Sequence, residues 1–216
     1  MESSQLIKKM YDAMSEALGP SHWWPGETPF EISVGAILTQ NTNWNNVEKA
    51  INNLKAHNVL SPEAMHNLAS GELAELIRPA GYYNIKSRRL NNFLEFLRIE
   101  ANYEIEALKS QELAELRPKI LGINGIGPET ADCILLYALE KPTFVIDTYT
   151  YRMMDRHGQV WEGMAYHELQ ALFMDSLPED VAVYNEYHAL IVRIGKDWCK
   201  KKKGLCETCP LKSFLD

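Results

Sequence analysis

The chain has 216 residues, 46% of them apolar and 24% charged, which are the proportions of an ordinary globular protein and exclude a disordered, collagenous or coiled-coil chain. No stretch approaches the ~20 apolar residues of a membrane span, and Met1-Glu2-Ser3-Ser4-Gln5-Leu6 lacks the basic start and apolar run of a secretory signal, so a cytoplasmic protein with no membrane partner is expected. The balance of 22 Lys and Arg against 29 Asp and Glu, net -7, counts mildly against a nucleic-acid partner. Local patches decide docking, however, and two exist, at Lys86, Arg88 and Arg89 and from Lys200 to Lys203.

In chain order, Leu6, Met10, Met14 and Ala17 share one face of a first helix that Gly19-Pro20 ends. Thr28-Pro29-Phe30-Glu31 offers an N-cap threonine, a first-turn proline and a capping-box glutamate, opening a helix through Val34, Ile37 and Leu38. Trp44, Val47, Ile51 and Leu54 space the next one. Ser61-Pro62 and Ser70-Gly71 start two short helices, and a longer one from Asn84 carries Ile85, Leu90, Phe93, Leu94 and Leu97. Leu113, Leu116 and Ile120 continue the pattern. Thr143-Phe144-Val145-Ile146 alone is strand-like, and short enough to be a linker. Helices follow from Tyr149 to His157, Tyr166 to Leu177 and Pro178 to Gly195. The expectation is an all-α chain of about ten helices, breaking at Glu140-Lys141-Pro142. It divides into a central domain over 29–140 and a second domain formed by 1–28 with 141–216.

The strongest local signal is Leu121-Gly122-Ile123-Asn124-Gly125-Ile126-Gly127-Pro128-Glu129-Thr130-Ala131, a helix end, a Gly-x-Gly turn and a new helix at Pro128. Its amides suit an anion such as a DNA phosphate, and equally suit a tight helix-helix turn with nothing bound. Asp147, within Val145-Ile146-Asp147-Thr148-Tyr149, is by itself an N-cap. Cys133 stands alone, while Cys199, Cys206 and Cys209 crowd the C-terminus, an asymmetry that points to a metal and not to disulfides.

The hairpin and Asp147 together resemble the helix-hairpin-helix, Gly/Pro-rich, Asp (HhH-GPD) DNA glycosylases, most closely the endonuclease III-like branch. Pro29-Phe30-Glu31, Leu38-Thr39-Gln40-Asn41-Thr42, Gly81-Tyr82-Tyr83-Asn84-Ile85-Lys86 and Cys199-x6-Cys206-x2-Cys209-Pro210-Leu211 look like family segments in family order. The resemblance implies two helical domains, a helix-hairpin-helix and a C-terminal iron–sulfur-type cysteine loop. It implies base excision from double-stranded DNA, with a damaged nucleotide flipped into a pocket and its glycosidic bond cleaved by a nucleoid-associated enzyme. Asp147 falls on the family's essential carboxylate. Gly125, Ile126, Gly127, Thr130 and Lys86 fall on DNA-binding positions, and Gln40 and Tyr82 on those that fill the gap left by the flipped base. Lys196 is a further candidate beside the pocket, or a solvated lysine.

Two departures refine the resemblance. Glu129 stands where bifunctional members carry a Schiff-base lysine, which implies a monofunctional glycosylase without abasic-site lyase activity. Ser21-His22-Trp23-Trp24-Pro25 looks similar to the 3-methyladenine glycosylase offshoot, whose cationic bases an indole face attracts; Trp23 and Trp24 also read as core anchors. Alternatives within the class are oxidised pyrimidines or mispaired adenine, and outside it a non-catalytic DNA-binding protein. The family's fourth cysteine is replaced by Leu215. A 4Fe-4S cluster would then take Asp216, a water or a small molecule at its fourth iron, with a three-iron form or zinc as alternatives. No dimer interface is evident, so a monomer is expected.

Overall fold

The computed structural model describes residues 2–215, and eleven α-helices and no strands occur among them. The chain forms two compact units, Trp24–Lys141 and Met1–Trp23 with Pro142–Asp216.

In the first-named unit, α2 (Pro29–Leu38) is capped by Thr28, whose Oγ1 accepts the Glu31 N–H at 3.1 Å. The expected capping box does not close on Thr28: Glu31 turns its carboxylate to Lys55, 2.9 Å away, and accepts the Glu27 N–H at 3.4 Å. α3 (Trp44–Ala56) and the short α4 (Pro62–His66) and α5 (Glu72–Leu76) follow. α6 (Tyr83–Ala101) buries Leu90, Phe93, Leu94 and Leu97 at helical spacing in one core with Val34, Ile37, Val47 and Leu54. α7 (Leu113–Leu121) and α8 (Pro128–Cys133) form the hairpin, and α8 runs into a wide π-helical turn at Ile134–Ala138.

The other unit joins both ends of the chain. α1 (Ser3–Leu18) packs on α10 (Tyr166–Met174) and α11 (Val181–Asp197), with the Tyr187 hydroxyl donating to the Ile7 carbonyl at 2.8 Å. The Thr143–Ile146 run is a buried extended linker, with Phe144 stacked on Phe173 at 4.3 Å. It leads into α9 (Thr148–Arg156), which Asp147 caps.

Candidate nucleic-acid interface and catalytic carboxylate

The hairpin turn is built around Gly125. Its φ is +93°, and a Cβ there would lie 2.4 Å from Arg89 Cγ, so backbone and packing both demand glycine. Gln40 Nε2 donates to the Gly125 carbonyl at 3.1 Å and to Thr130 Oγ1 at 2.9 Å, while Arg89 donates to Gln40 Oε1. Asn92 adds a bond to the Asn124 carbonyl at 2.9 Å. The two hairpin helices are joined by Arg117 and the fully buried Asp132, through bonds of 2.8 and 3.0 Å. This two-toothed charge-assisted pair fixes their separation.

Several expected DNA contacts are placed differently. Lys86 is not on the surface: it is 1% exposed, and its ammonium donates to the Leu38 and Ala80 carbonyls, each at 2.8 Å. Those carbonyls end α2 and the turn before α6, where no backbone N–H completes the ladder, so a long cationic side chain serves both. Burial, reinforced by the positive charge of Arg89, pushes the Lys86 ammonium down to about 8. Thr130 is also buried, its hydroxyl occupied by Gln40. Ile126 spends its N–H on the Ile123 carbonyl and turns its side chain inward. Gly127 and Glu129 remain exposed at the start of α8. Gln40 braces the hairpin with both ends of its amide, so acting as a gap filler requires those bonds to break.

Tyr82 has the form of a presented wedge. It is 67% exposed and held at φ +46°, a conformation costly for a bulky side chain. Ile85 is exposed beside it in sequence. Trp24 packs edge-on against Trp44 at 5.4 Å and tilted against Tyr137 of the π-helical turn at 5.1 Å. Trp23 belongs to the other unit and is half-buried.

There, Asp147 caps α9 and is 9% exposed. Its Oδ1 accepts the Thr150 N–H at 2.7 Å and the Thr150 hydroxyl at 2.9 Å. Its Oδ2 lies 3.6 Å from His188 Nε2, on α11. Burial pushes the Asp147 carboxyl up, but the His188 imidazole and the Thr150 donors outweigh it, and the net displacement is below the ordinary aspartate value. The group is therefore an anion at neutral pH. Lys196 is exposed in the last turn of α11, and its carbonyl accepts the Lys200 ammonium.

Cys199, Cys206 and Cys209 line one cavity with Met153, Ile194, Trp198 and Leu211. Leu215 lines it too, placing an apolar side chain where a fourth ligand is expected; Asp216 lies outside the described residues. Arg156 donates to Cys199 Sγ at 2.9 Å and to the Lys200 carbonyl at 2.6 Å. A Cβ at Gly204 would lie 2.8 Å from Cys206 Sγ. Burial pushes the Cys209 thiol up, partly opposed by the Leu211 N–H. Among the described residues no three His, Cys, Asp or Glu side chains stand in a ligating arrangement. The cavity thus gathers three sulfur atoms and a guanidinium.

A glycine hairpin of this construction places the protein in the helix-hairpin-helix class. Residues 34–179 match the HhH-GPD superfamily of base excision DNA repair proteins. Over 212 residues the chain is 48% identical to a putative DNA repair glycosylase of Methanocaldococcus jannaschii, covering 97% of this chain and 96% of that one. Its structure is similar to that of H. pylori 3-methyladenine DNA glycosylase bound to 1,N6-ethenoadenine, with a TM-score of 0.78, 29% identity, and 91% and 98% of the two chains covered. A non-covalent endonuclease III–DNA complex shares the fold with a TM-score of 0.83 at 22% identity, covering 100% and 96% of the two chains. The chain is a member of the HhH-GPD superfamily of base excision DNA repair proteins.

The sequence offered Arg89 only as part of a basic patch, and no signal for Asn92, Arg117, Asp132 or His188. Each acts across a long sequence separation through a partner that spacing rules do not connect.

Proposed function

We propose that this protein is a monofunctional DNA glycosylase that removes alkylated purines such as 3-methyladenine from duplex DNA. The observation that carries the reading is the buried, ionised carboxylate of Asp147, with one oxygen committed to Thr150 and the other toward His188. An anion held in a nearly dry site stabilises the oxocarbenium character that develops as the glycosidic bond breaks, and it orients and deprotonates the attacking water. An alkylated purine is already cationic, so it leaves without a general acid. The Trp24, Trp44 and Tyr137 cluster supplies aromatic faces of the kind that attract a cation. Kinship with the M. jannaschii and H. pylori glycosylases supports the same chemistry.

Glu129, exposed at the start of α8, brings no amine to the hairpin. Water is then the nucleophile, and the products are the free base and an abasic site in an intact strand. Gly127 and the Lys200–Lys203 run hold phosphates, and Tyr82 enters the unstacked step. Cys199, Cys206 and Cys209 are the residues that would hold an iron–sulfur cluster, which would serve to order the loop that presents those lysines.

The substrate is tested by incubating the protein with duplexes carrying methylated purines, thymine glycol or adenine opposite guanine, and identifying released bases by chromatography. The proposal expects methylated purines alone among the products. Release of thymine glycol with no methylated purine sinks the substrate assignment.

A further inference from the structure

We propose that His188 is a positioning residue for Asp147, its ring Nε2, 3.6 Å from Oδ2, keeping that oxygen in the orientation that faces the reacting sugar. The inference rests on the proposed catalytic role of Asp147 and asks which group makes that carboxylate competent.

The two oxygens of Asp147 are treated differently. Oδ1 takes both Thr150 donors, at 2.7 and 2.9 Å, as any N-cap does. Capping alone leaves the carboxylate free to turn about that anchor. Oδ2 faces His188 Nε2 at 3.6 Å, within ion-pair reach, and His188 is only 4% exposed. Its ring stands edge-on to Phe144 at 6.4 Å, so an apolar wall limits where the imidazole can go. In surroundings this dry, a donor directed at one carboxylate oxygen restrains the plane of the whole group.

The scaffold holds donor and acceptor in register. At Gly195 of α11 a Cβ would lie 2.2 Å from Tyr149 Cδ1, so α9 and α11 approach closely only because that position has no side chain. Arg152 on α9 donates to the Cys199 carbonyl at 2.6 Å and to the Gly195 carbonyl at 3.3 Å. The separation of the helices that carry Asp147 and His188 is thereby set from both sides. A histidine merely filling the core has no need to bring a ring nitrogen within 3.6 Å of a buried carboxylate.

The test compares wild type, His188→Phe, His188→Gln and Asp147→Asn. Single-turnover base release is measured at saturating protein on a methylated duplex, beside affinity for a duplex with an uncleavable abasic-site analogue and the melting temperature. His188→Phe is expected to slow release at least about tenfold, with affinity within about twofold of wild type. His188→Gln, which keeps an N–H at the Nε2 position, is expected to restore most of the rate. An unchanged rate in His188→Phe overturns the inference. So does equal slowing in both variants at unchanged melting temperature, which would mark a packing role. If Asp147→Asn matches wild type, or wild type releases no base, the catalytic reading of Asp147 fails and takes this inference with it. Asp147→Asn inactive beside a fully active His188→Phe sinks the inference alone.

Discussion

Burial of Lys86 makes a quantitative prediction about stability and pH. The ammonium is held at about 8 in the folded protein against an ordinary 10.5. Below pH 8 both folded and unfolded chains carry the proton, and the folded state bears the full cost of a desolvated charge, about 3.4 kcal/mol for the 2.5-unit displacement. Between these values the unfolded chain binds more protons than the folded one, so stability rises with pH and the cost fades. From those two values the residual cost at about pH 9.5 is about 1.4 kcal/mol, a gain of about 2 kcal/mol over neutral pH. Tyr187, raised well above 10 by burial, works the other way, because the unfolded chain releases that proton first and stability falls. Its contribution cancels when wild type is compared with Lys86→Met. Losing the ammonium leaves the Leu38 and Ala80 carbonyls without it, a cost of roughly 1–3 kcal/mol each that does not vary with pH. Urea unfolding of both proteins at about pH 7 and about pH 9.5 should show wild type gaining about 2 kcal/mol on the variant. Parallel behaviour would refute the reasoning, since it would mean that the native ammonium is solvated.

Three further outcomes are expected. Gly125→Ala combines a strained φ with a Cβ 2.4 Å from Arg89 Cγ, so Arg89 and Gln40 must shift; stability should fall by about 1–3 kcal/mol, and titration of an abasic-site duplex should show weaker binding. Asp132→Ala removes the buried carboxylate that joins Arg117 to the second hairpin helix, costing about 1–3 kcal/mol in denaturant unfolding, since the guanidinium left behind is partly solvated. Glu129→Lys brings an amine to the hairpin position of the lyase branch; borohydride should then trap a covalent complex with abasic DNA that wild type does not form.

The parts of this protein governed by neighbours in sequence were legible in it. Thr28 caps α2, Gly125 takes the turn that needs positive φ, and Asp147 caps α9, each because a local backbone requirement selects a residue type. What escaped was set by distant partners. Lys86 sits in a basic run that reads as a docking patch, and only the folded chain reveals two helix-end carbonyls with one cation between them. Gln40 spans 85 residues to reach Gly125, and Thr130 is drawn inward by the same amide. Arg117 and Asp132 lie fifteen residues apart and are paired only when the hairpin brings its two helices together. His188 occupies an apolar helix face, where periodicity says only that it is inside.

Asp147 is the carboxylate proposed to drive base release, with the strand left intact. The measurement that tests it most directly is strand breakage on methylated duplex DNA by wild type and Asp147→Asn, with and without hot alkali. Asparagine caps a helix as well as aspartate does, so the variant should stay folded, with a loss of stability limited to the charged contact to His188. Wild type should give breaks only after alkali, and Asp147→Asn none. Breaks without alkali, or full activity in a folded Asp147→Asn, would contradict it.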